Sequence, residues 1–532
     1  MERERIEIYD TTLRDGAQGA GVAFSPTGAL RWAQAAAEFG VDFVEGPFAG
    51  AGGAADAFYR KAAGLDWGGA ELVAFGSTCR VGADPDGDPG LAALVAAGTR
   101  AVSIFGKASR RQVESVLRTS AEENLRLVGA SVAWLRGRGL RVFFDAEHFF
   151  DGWAADAGYA EAVLAAALEA GAERIVLCDT NGGTLPWDAA RAVRAVAGRF
   201  PGARLGVHAH NDAELAVAVS LDAVRAGASM VQGTFNGYGE RAGNANLCSV
   251  LPDLALKLGR GLRCGGNLAR LRGMSRLLDE LLDRRGDPAR PFVGEQAFTH
   301  KAGMHVDAVT KDPASFEHVP PEAVGNSRRI LVSGLSGEDN VRMKAAEFGE
   351  ELDKGAPEVA RVLRQLKDME SDGYQFESAD GSFRLLVERA VRQRRSFFEL
   401  RGFSVMVQKR DASSEAVTIA TIKVAVNGQE ELGAGEGAGP VDALNGALRR
   451  VLRRFYPCLD EVALEDYHVR ILDPESGTQA VTRVLIESSD GRRHWGTVGV
   501  SANIIDASWQ ALADSMEYKL LLEERASASA SP

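Results

Sequence analysis

Residues 174–212 read RIVLCDTNGGTLPWDAARAVRAVAGRFPGARLGVHAHND, and this stretch decides the fold. A short β-branched run at Arg174–Cys178 is followed by a helical segment rich in alanine and arginine and then by a second run at Arg204–His208. A strand–helix–strand unit of this kind predicts a parallel sheet. Polar residues follow each run, as in proteins whose sites lie at the carboxyl ends of the strands.

The same alternation extends through about the first 260 residues. Helical patterns such as Pro26–Phe39 and Glu214–Ala226 separate the candidate strands, and several of them end at a glycine, which is favoured just after a helix. The eight candidate strands are Ile6–Asp10, Val41–Glu45, Leu72–Ser77, Ala101–Phe105, Arg141–Asp145, Arg174–Cys178, Arg204–His208 and Met230–Thr234.

Eight strand–helix units in about 250 residues match a (β/α)8 TIM barrel in number and length. A doubly wound open sheet is the alternative, but that fold usually has a glycine-rich phosphate turn after its first strand. Here the first strand is followed by TTLRDG at residues 11–16, without a G-x-G pattern. We therefore predict an α/β protein that begins with a (β/α)8 barrel.

The remaining chain changes character twice. We expect the catalytic barrel to span residues 1–262, mostly helical linker subdomains residues 263–395, an α+β domain residues 396–525 and a disordered, Ala/Ser-rich tail residues 526–532. The elements expected in the α+β domain are strands Phe403–Gln408, Val417–Val426, His468–Leu472, Val481–Glu487 and His494–Val500 with helices Pro440–Phe455 and Ile505–Leu522.

Composition excludes several classes of function. The chain has 532 residues, enough for two to four domains, and its net charge of −12 argues against a nucleic-acid partner. Its five cysteines are scattered without a C-x-x-C pair, so we expect neither a disulfide framework nor a thiolate zinc site. There is no secretory signal pattern and no apolar run long enough to cross a membrane, which predicts a cytoplasmic protein without a membrane partner.

A candidate metal site lies at the predicted rim of the barrel. His208 and His210 are two residues apart at the end of the seventh strand, so both imidazoles can point to one side. Asp15 follows the first strand, which neighbours the eighth in a closed barrel, and can supply a carboxylate to the same ion. Asn244, beyond the eighth strand, is either a further oxygen ligand or a loop residue.

Three further polar residues follow predicted strands. Arg14 can stabilise a developing alkoxide or clamp a carboxylate, although a salt bridge would also explain it. Glu147 is placed to act as a base or to orient a ligand. Thr180 can donate a hydrogen bond to a substrate carboxylate or cap a helix.

Three motifs in a fixed order resemble the signatures of the DRE-type metal-dependent TIM-barrel enzymes. They are YDTTLRDGAQ at residues 9–18, GVHAHND at residues 206–212 and NGYGERAGNAN at residues 236–246. This family contains the 2-isopropylmalate, homocitrate and citramalate synthases together with lyases and carboxylase domains. Three signatures in this order are far more specific than any one of them.

Further segments resemble the citramalate synthase branch of that family. They include FDAEHFFDG at residues 144–152, LCDTNGGTLP at residues 177–186 and HKAGMHV at residues 300–306. GAGPVDALNGAL at residues 437–448 and the segment 498–522 resemble the regulatory dimer domain of these synthases, which the lyases lack. The resemblance thus covers nearly the whole chain.

The resemblance implies an acyltransferase that joins acetyl-CoA and pyruvate to give (R)-citramalate in isoleucine biosynthesis. It implies a divalent metal ion (Mg, Mn or Zn), a homodimer, and isoleucine or leucine as an effector at the C-terminal regulatory domain. The residue roles it implies are metal ligands Asp15, His208, His210 and Asn244, substrate contacts Arg14, Gln18, Asp145 and Thr180, and catalytic residues Glu147, Arg14 and His305.

Three positions depart from the family pattern. Phe316 stands where the family usually has a tyrosine credited with proton transfer, Ala20 replaces a commonly acidic residue, and Pro47 lies in an altered loop after the second strand. These departures keep two alternatives open: a 2-isopropylmalate or homocitrate synthase with a longer 2-keto acid, and a catalytically idle homologue that binds metal and effector. A lyase would leave the last domain unexplained.

Overall fold

The computed structural model describes residues 4–331, 337–409 and 411–530, without the side chains of residues 478 and 528–530. The chain folds as two compact units. The first comprises the residues up to Phe298 together with Val319–Ser327, and the second comprises Thr299–His318 together with the residues from Arg328 onwards.

The first unit is built on a closed barrel of eight parallel strands in chain order. Strand β1 pairs with β2 and also with β8, where Glu7 lies opposite Met230, and this pairing closes the sheet. The predicted (β/α)8 barrel is therefore confirmed. Its strands are β1 (Glu7–Asp10), β2 (Phe43–Phe48), β3 (Glu71–Ser77), β4 (Ala101–Lys107), β5 (Arg141–Glu147), β6 (Arg174–Asp179), β7 (Leu205–Ala209) and β8 (Met230–Gly233).

Helices surround these strands. The first begins at Ser25, whose hydroxyl accepts a hydrogen bond from the Gly28 N–H at 3.0 Å, and ends at Gly40, which has a φ of 103°. The helices of this unit are α1 (Pro26–Phe39), α2 (Gly53–Ala62), α3 (Pro89–Ala96), α4 (Arg110–Gln112), α5 (Ala121–Gly137), α6 (Phe149–Ala155), α7 (Ala157–Glu169), α8 (Pro186–Arg199), α9 (Ala216–Arg225), α10 (Leu247–Pro252) and α11 (Leu271–Leu281).

Side chains fill the interior of the barrel. Tyr9, Phe43 and Phe143 are the large members of a buried cluster to which seven of the strands contribute. Strand β7 adds Gly206 at this level, where a Cβ would lie 2.8 Å from Cε of Met230. The interior is therefore a packed core, and open space for a ligand is found at the carboxyl rim.

The second unit combines helices and strands, in agreement with the predicted α+β class. It contains two three-stranded antiparallel sheets, in the orders β11-β12-β13 and β14-β15-β16, and one short parallel pair, β10-β9. Its elements are β9 (Thr299–His300), α12 (Gly303–Lys311), β10 (Arg329–Ile330), α13 (Glu338–Glu347), α14 (Pro357–Ser371), α15 (Asp380–Arg392), β11 (Glu399–Gln408), β12 (Val417–Val426), β13 (Gln429–Gly437), α16 (Pro440–Leu452), β14 (Ala463–Ile471), β15 (Thr482–Ser489), β16 (His494–Ser501) and α17 (Ile504–Ala530).

Strand β13 is missing from the sequence-based prediction. Its sequence, QEELGAGEG, has three glycines at alternate positions and little β propensity. These glycines face α16, and a Cβ at Gly435 would lie 2.5 Å from the Ala443 carbonyl oxygen and from the Ala447 nitrogen. Close approach of the helix, rather than local propensity, explains the composition of this strand.

Replacing Gly435 with alanine should lower the stability of the second unit. The new methyl group meets helix backbone and not a flexible side chain, so α16 must shift, at a cost of about 1–3 kcal/mol. Thermal and urea unfolding of the full chain measure the loss. Gly446→Ala in α16 is the matched control because a Cβ there meets nothing within 4 Å, and equal stability of the two variants would contradict this packing.

Helix α17 runs on to Ala530, and residues 531 and 532 lie outside the described residues. The disordered tail expected at residues 526–532 stays a prediction. Within the described part of the chain, no helix is both long and apolar enough for a transmembrane span. The compact units differ from the expected domains, and the boundaries at residues 262, 395 and 525 stay predictions.

Candidate active site and metal centre

A tight turn after β1 carries the first two site residues. The backbone N–H groups of Arg14 and Asp15 both donate to the Thr11 carbonyl oxygen, at 3.1 and 2.9 Å. Because β1 pairs with β8, which in turn pairs with β7, this turn stands at the same end of the barrel as the ends of those strands. Asp15 is buried, with 1% of its surface exposed.

The two histidines lie where β7 ends. His208 is inside the strand and His210 is the first residue past Ala209. The His210 backbone forms an antiparallel bridge with Asn244, which brings the loop after β8 to the same place. Both imidazoles and the Asn244 amide are buried.

These four side chains converge on one point. Nε2 of His208 lies 3.0 Å from Oδ2 of Asp15 and 3.3 Å from Nε2 of His210. Nε2 of His210 lies 3.6 Å from the same Asp15 oxygen. The Asn244 amide nitrogen lies 3.1 Å from Asp15 and 3.2 Å from His208.

The protonation states suit a cation. Burial raises the pKa of a carboxyl, but the Arg14 charge and the hydrogen bond with His208 hold the pKa of Asp15 well below its usual range. Burial and the neighbouring His208 charge lower the pKa of His210 to about 4. Against the effect of burial, Asp15 raises the pKa of His208. Asp15 is thus ionised and His210 neutral, as metal ligands must be, and the Asp15 carboxylate favours positive charge at His208, which a bound metal ion would supply in place of a ring proton.

Two buried polar atoms at this centre have no hydrogen-bond partner among the described residues. Oδ1 of Asp15 and Oδ1 of Asn244 are buried and without a hydrogen-bond partner, which is costly unless something else binds there. The Nδ1 of His208 lies 2.9 Å from the side-chain oxygen of Gln232. That contact places the ring proton on Nδ1 and leaves the Nε2 lone pair facing the centre, as a metal ligand requires.

Arg14 is held by three contacts. Its Nε donates to Oε2 of Glu45 at 2.7 Å, its NH1 lies 3.0 Å from Oδ2 of Asp15, and its guanidinium carbon lies 3.9 Å from the centre of the Phe75 ring. Glu45 is fully buried, and burial together with the Asp145 charge raises its pKa to about 7. The guanidinium is therefore fixed before any substrate arrives.

Glu45→Gln should weaken catalysis without removing the metal site. Loss of the carboxylate releases Arg14 from its charged partner, and we expect kcat/KM to fall by about 10- to 100-fold. Tyr9→Phe is the control. The Tyr9 hydroxyl donates to Oε1 of Glu45 at 2.8 Å, whereas Arg14 donates to Oε2, so this variant removes one contact of Glu45 and keeps the pair with Arg14. An effect of Tyr9→Phe as large as that of Glu45→Gln would contradict the role of Glu45 in holding Arg14.

Glu147 ends β5 and Thr180 follows β6, whereas Arg14 follows β1. Since β5 and β6 lie opposite β1 and β2 in the closed barrel, Glu147 and Thr180 lie across the cavity from Arg14. Glu147 is the last residue of β5 and pairs with Lys107, the last residue of β4. The Thr180 hydroxyl accepts a hydrogen bond from the His148 N–H at 2.8 Å. Since that bond uses a lone pair, the hydroxyl proton of Thr180 stays available for a substrate oxygen.

One cavity of about 240 Å³ unites most of the predicted site. Asn244 contacts Asp15 and His208, which are part of the cavity wall. His305 lies on α12 in the second unit. The predicted residues that line the cavity are Arg14, Asp15, Gln18, Asp145, Glu147, Thr180, His208 and His210.

Two contributors were missed at the level of sequence. Glu45 is the last residue of the predicted second strand and carries a buried charge, and Gln232 is the only strongly polar side chain of the β8 sequence MVQG. The amide of Gln232 also donates to Asp145 at 3.3 Å, and the Ser103 hydroxyl lies 3.1 Å from the same carboxylate oxygen. A polar residue within an apolar strand is the signal that could have identified both.

The positions that depart from the family pattern have defined contacts. The Ala20 carbonyl oxygen accepts a hydrogen bond from Arg284 at 3.1 Å, and that of Pro47 accepts one from the Tyr59 hydroxyl at 2.5 Å. Phe316 stacks on the His305 ring at a centroid distance of 4.2 Å. The contacts of Ala20 and Pro47 are made by the backbone and do not depend on their side chains, whereas the Phe316 ring packs on His305 and has no proton to transfer.

Comparisons with known proteins cover nearly the whole chain. The HMGL-like family model matches residues 5–278, the homocitrate synthase post-HMGL domain-like model residues 292–373, and the LeuA allosteric (dimerisation) domain model residues 377–520. An HMG-CoA lyase structure from Brucella melitensis is 16% identical and has a TM-score of 0.44, covering 53% of this chain and 99% of its own.

The chain belongs to the HMGL-like family, and the resemblance seen in the three signatures is confirmed. Curated relatives called (R)-citramalate synthase match it from end to end. That of Aquifex aeolicus is 46% identical over 98% of this chain and 99% of its own length. That of Synechocystis sp. is 47% identical over 98% and 97%.

Proposed function

We propose that the chain is an (R)-citramalate synthase, an acyltransferase that condenses acetyl-CoA with pyruvate and water to give (R)-citramalate and CoA. Full-length relatives of that name support the proposal. The observation that carries it is the meeting of Asp15, His208 and His210 beside Arg14 and Glu147 in one cavity. A metal site, a cation and a base are what this condensation needs.

The metal ion would be held by Asp15, His208 and His210, with Asn244 as a further oxygen ligand. Turning the Asn244 amide over exchanges its nitrogen and oxygen and presents the unsatisfied Oδ1 to the same point. The residues offer two imidazoles and hard oxygens, which suit a divalent ion such as Mg, Mn or Zn. Such an ion supplies Lewis-acid polarisation of a bound ketone.

Three groups of the chain bind and orient pyruvate. Arg14 faces the ketone oxygen, where negative charge develops. Thr180 and Gln18 donate hydrogen bonds to the carboxylate, and Asp145 fixes the surroundings through Ser103 and Gln232. The cavity volume of about 240 Å³ lies below the usual range of ligand pockets and favours a small keto acid.

Glu147 acts as the base. Its carboxylate takes a proton from the methyl group of acetyl-CoA, and the electron pair of that C–H bond forms the enolate. The enolate carbon attacks the ketone carbon of pyruvate, and a proton is then added to the resulting alkoxide. Water finally cleaves the thioester and releases CoA.

The remaining features belong to the same proposal. We assign the barrel at residues 1–262 to catalysis and residues 396–525 to regulation, with the helical residues 263–395 between them. The dimerisation-domain match supports a homodimer and an amino-acid effector, isoleucine or leucine, in line with a place in isoleucine biosynthesis. His305 is assigned to proton transfer in the assembled dimer, and the protein is expected in the cytoplasm.

A panel of 2-keto acids tests the proposal. CoA release from acetyl-CoA is measured with pyruvate, 2-ketobutyrate, 2-ketoisovalerate and 2-ketoglutarate, with and without isoleucine and leucine. Pyruvate should give the highest kcat/KM, and the product should be (R)-citramalate by chiral chromatography. Preference for 2-ketoisovalerate or 2-ketoglutarate would identify a sister synthase, and CoA release with none of them would identify an idle homologue.

A further inference from the structure

Two charged side chains end neighbouring strands beside the cavity. Lys107 closes β4, Glu147 closes β5, and the two residues are partners in the register of the parallel sheet. Partners in register point to the same face of the sheet. The Lys107 ammonium nitrogen lies 2.5 Å from Oε2 of Glu147, so the two side chains form an ion pair.

The strand ends that carry this ion pair are held in place. Its side chains are only 14% and 23% exposed, which reduces screening by solvent. The Lys107 carbonyl oxygen accepts a hydrogen bond from Asn124 at 2.8 Å, and the Glu147 carbonyl oxygen accepts one from the Ala108 N–H at 2.9 Å. Asn124 is itself buried, so the ends of both strands are fixed.

Lys107 stands behind the base and not in the cavity. Glu147 lines the cavity, while Lys107 is absent from the described residues that line it. Phe105, two residues earlier on β4, does line it, so Lys107 follows on the same face at the edge of the cavity. Any effect of Lys107 on the substrate must therefore pass through Glu147 or through the electric field.

We propose that Lys107 is a positioning residue for proton abstraction, fixing Oε2 of Glu147 so that Oε1 faces the methyl group of acetyl-CoA. The inference rests on the proposed function. When the methyl C–H bond breaks, the proton forms an O–H bond at Oε1 and the electron pair stays on the substrate as an enolate. The carboxylate is then neutral, and the Lys107 charge faces the new anion without its former partner.

The charge of Lys107 also has an effect that opposes proton abstraction by Glu147, and this effect limits the gain in rate. A cation beside a carboxylate stabilises its ionised form and makes it a weaker base. Lys107 therefore raises the rate when two contributions, the orientation of Oε1 and the attraction between Lys107 and the enolate, stabilise the transition state by more than the weaker base destabilises it. Both contributions act in the transition state and should appear in kcat more than in KM.

Lys107→Met and Lys107→Arg test the inference in the full-length enzyme. We expect Lys107→Met to lower kcat by about 10- to 100-fold with KM for pyruvate within about threefold. The deuterium isotope effect on kcat with trideuteroacetyl-CoA should rise because proton abstraction becomes more rate-limiting. Lys107→Arg should keep kcat within about fivefold of wild type, since a guanidinium also pairs with a carboxylate.

Unchanged kcat and isotope effect in Lys107→Met would overturn the inference, as would equal losses in both variants. Lys344→Met is the control, because it breaks a lysine–carboxylate pair with Glu347 on the surface helix α13. Circular dichroism and metal content show whether each variant is folded.

Exchange of the acetyl-CoA methyl hydrogens with D2O separates this inference from the proposed function. Mass spectrometry follows the exchange, which reports proton abstraction without consuming a keto acid. If the methyl hydrogens exchanged but no keto acid of the panel were condensed, the proposed function would be overturned and the role of Lys107 would not. Equal exchange rates in wild type and Lys107→Met would overturn the role of Lys107, and absence of both reactions in wild type would overturn both proposals.

Discussion

Replacing His208 with alanine should remove the metal ion and reduce CoA release by about 10³-fold or more, since Lewis-acid polarisation contributes several kcal/mol to the barrier. At the proposed metal centre, Nε2 of His208 lies 3.0 Å from Asp15, 3.3 Å from His210 and 3.2 Å from Asn244. Its loss would leave one imidazole, one carboxylate and the Asn244 amide, a set with only one nitrogen donor that should hold a divalent ion far less tightly. Metal content after dialysis, measured by mass spectrometry, is the first readout, and turnover with pyruvate is the second.

His494→Ala is the matched control for this experiment. Its ring lies on strand β16, is 71% exposed and pairs with Glu465, so its removal should change neither metal content nor turnover. A His208→Ala enzyme that keeps a full equivalent of metal and the wild-type rate would refute the site.

Replacing Glu147 with glutamine should lower kcat by about 10²- to 10⁴-fold, the usual contribution of a general base. The amide has nearly the same shape as the carboxylate but cannot accept the methyl proton. Metal content and the Kd of acetyl-CoA should therefore stay near the wild-type values. Exchange of methyl hydrogens with D2O should be lost together with turnover.

Glu169→Gln provides the comparison for Glu147→Gln. Glu169 is the exposed last residue of α7, so the same chemical change there should have no effect on rate. If Glu147→Gln lowered metal content or acetyl-CoA affinity in proportion to kcat, Glu147 would hold the site together and would not act as its base.

The barrel could be predicted because its signal is local and repeated. Each strand of the barrel is a short apolar run, and the segment between two strands has helical periodicity, so eight copies of one pattern define the fold. The structure extends several strands by one to three residues, as for β2, which runs on to Phe48. Strand β13 was missed because contact with α16, and not its own sequence, selects its glycines.

The sequence predicts those residues of the candidate site whose place is fixed by the end of a strand. Asp15, His208 and His210 follow strands whose carboxyl ends meet, so their convergence follows from the topology. The partners that orient Arg14 and His208 lie inside strands: Glu45 in β2 and Gln232 in β8. A sequence does not show which buried polar group reaches which neighbour, because that depends on the stagger and tilt of the closed sheet.

The pairing of β1 with β8 has a consequence for synthesis of the chain. Asp15 emerges from the ribosome long before His208, and the two side chains can share an ion only after residues Met230–Gly233 have joined β1. Binding of a divalent ion would therefore favour the closed sheet over any partly folded form by mass action. Nascent chains stalled before β8 should bind the ion weakly, and the thermal stability of the finished protein should rise with ion concentration.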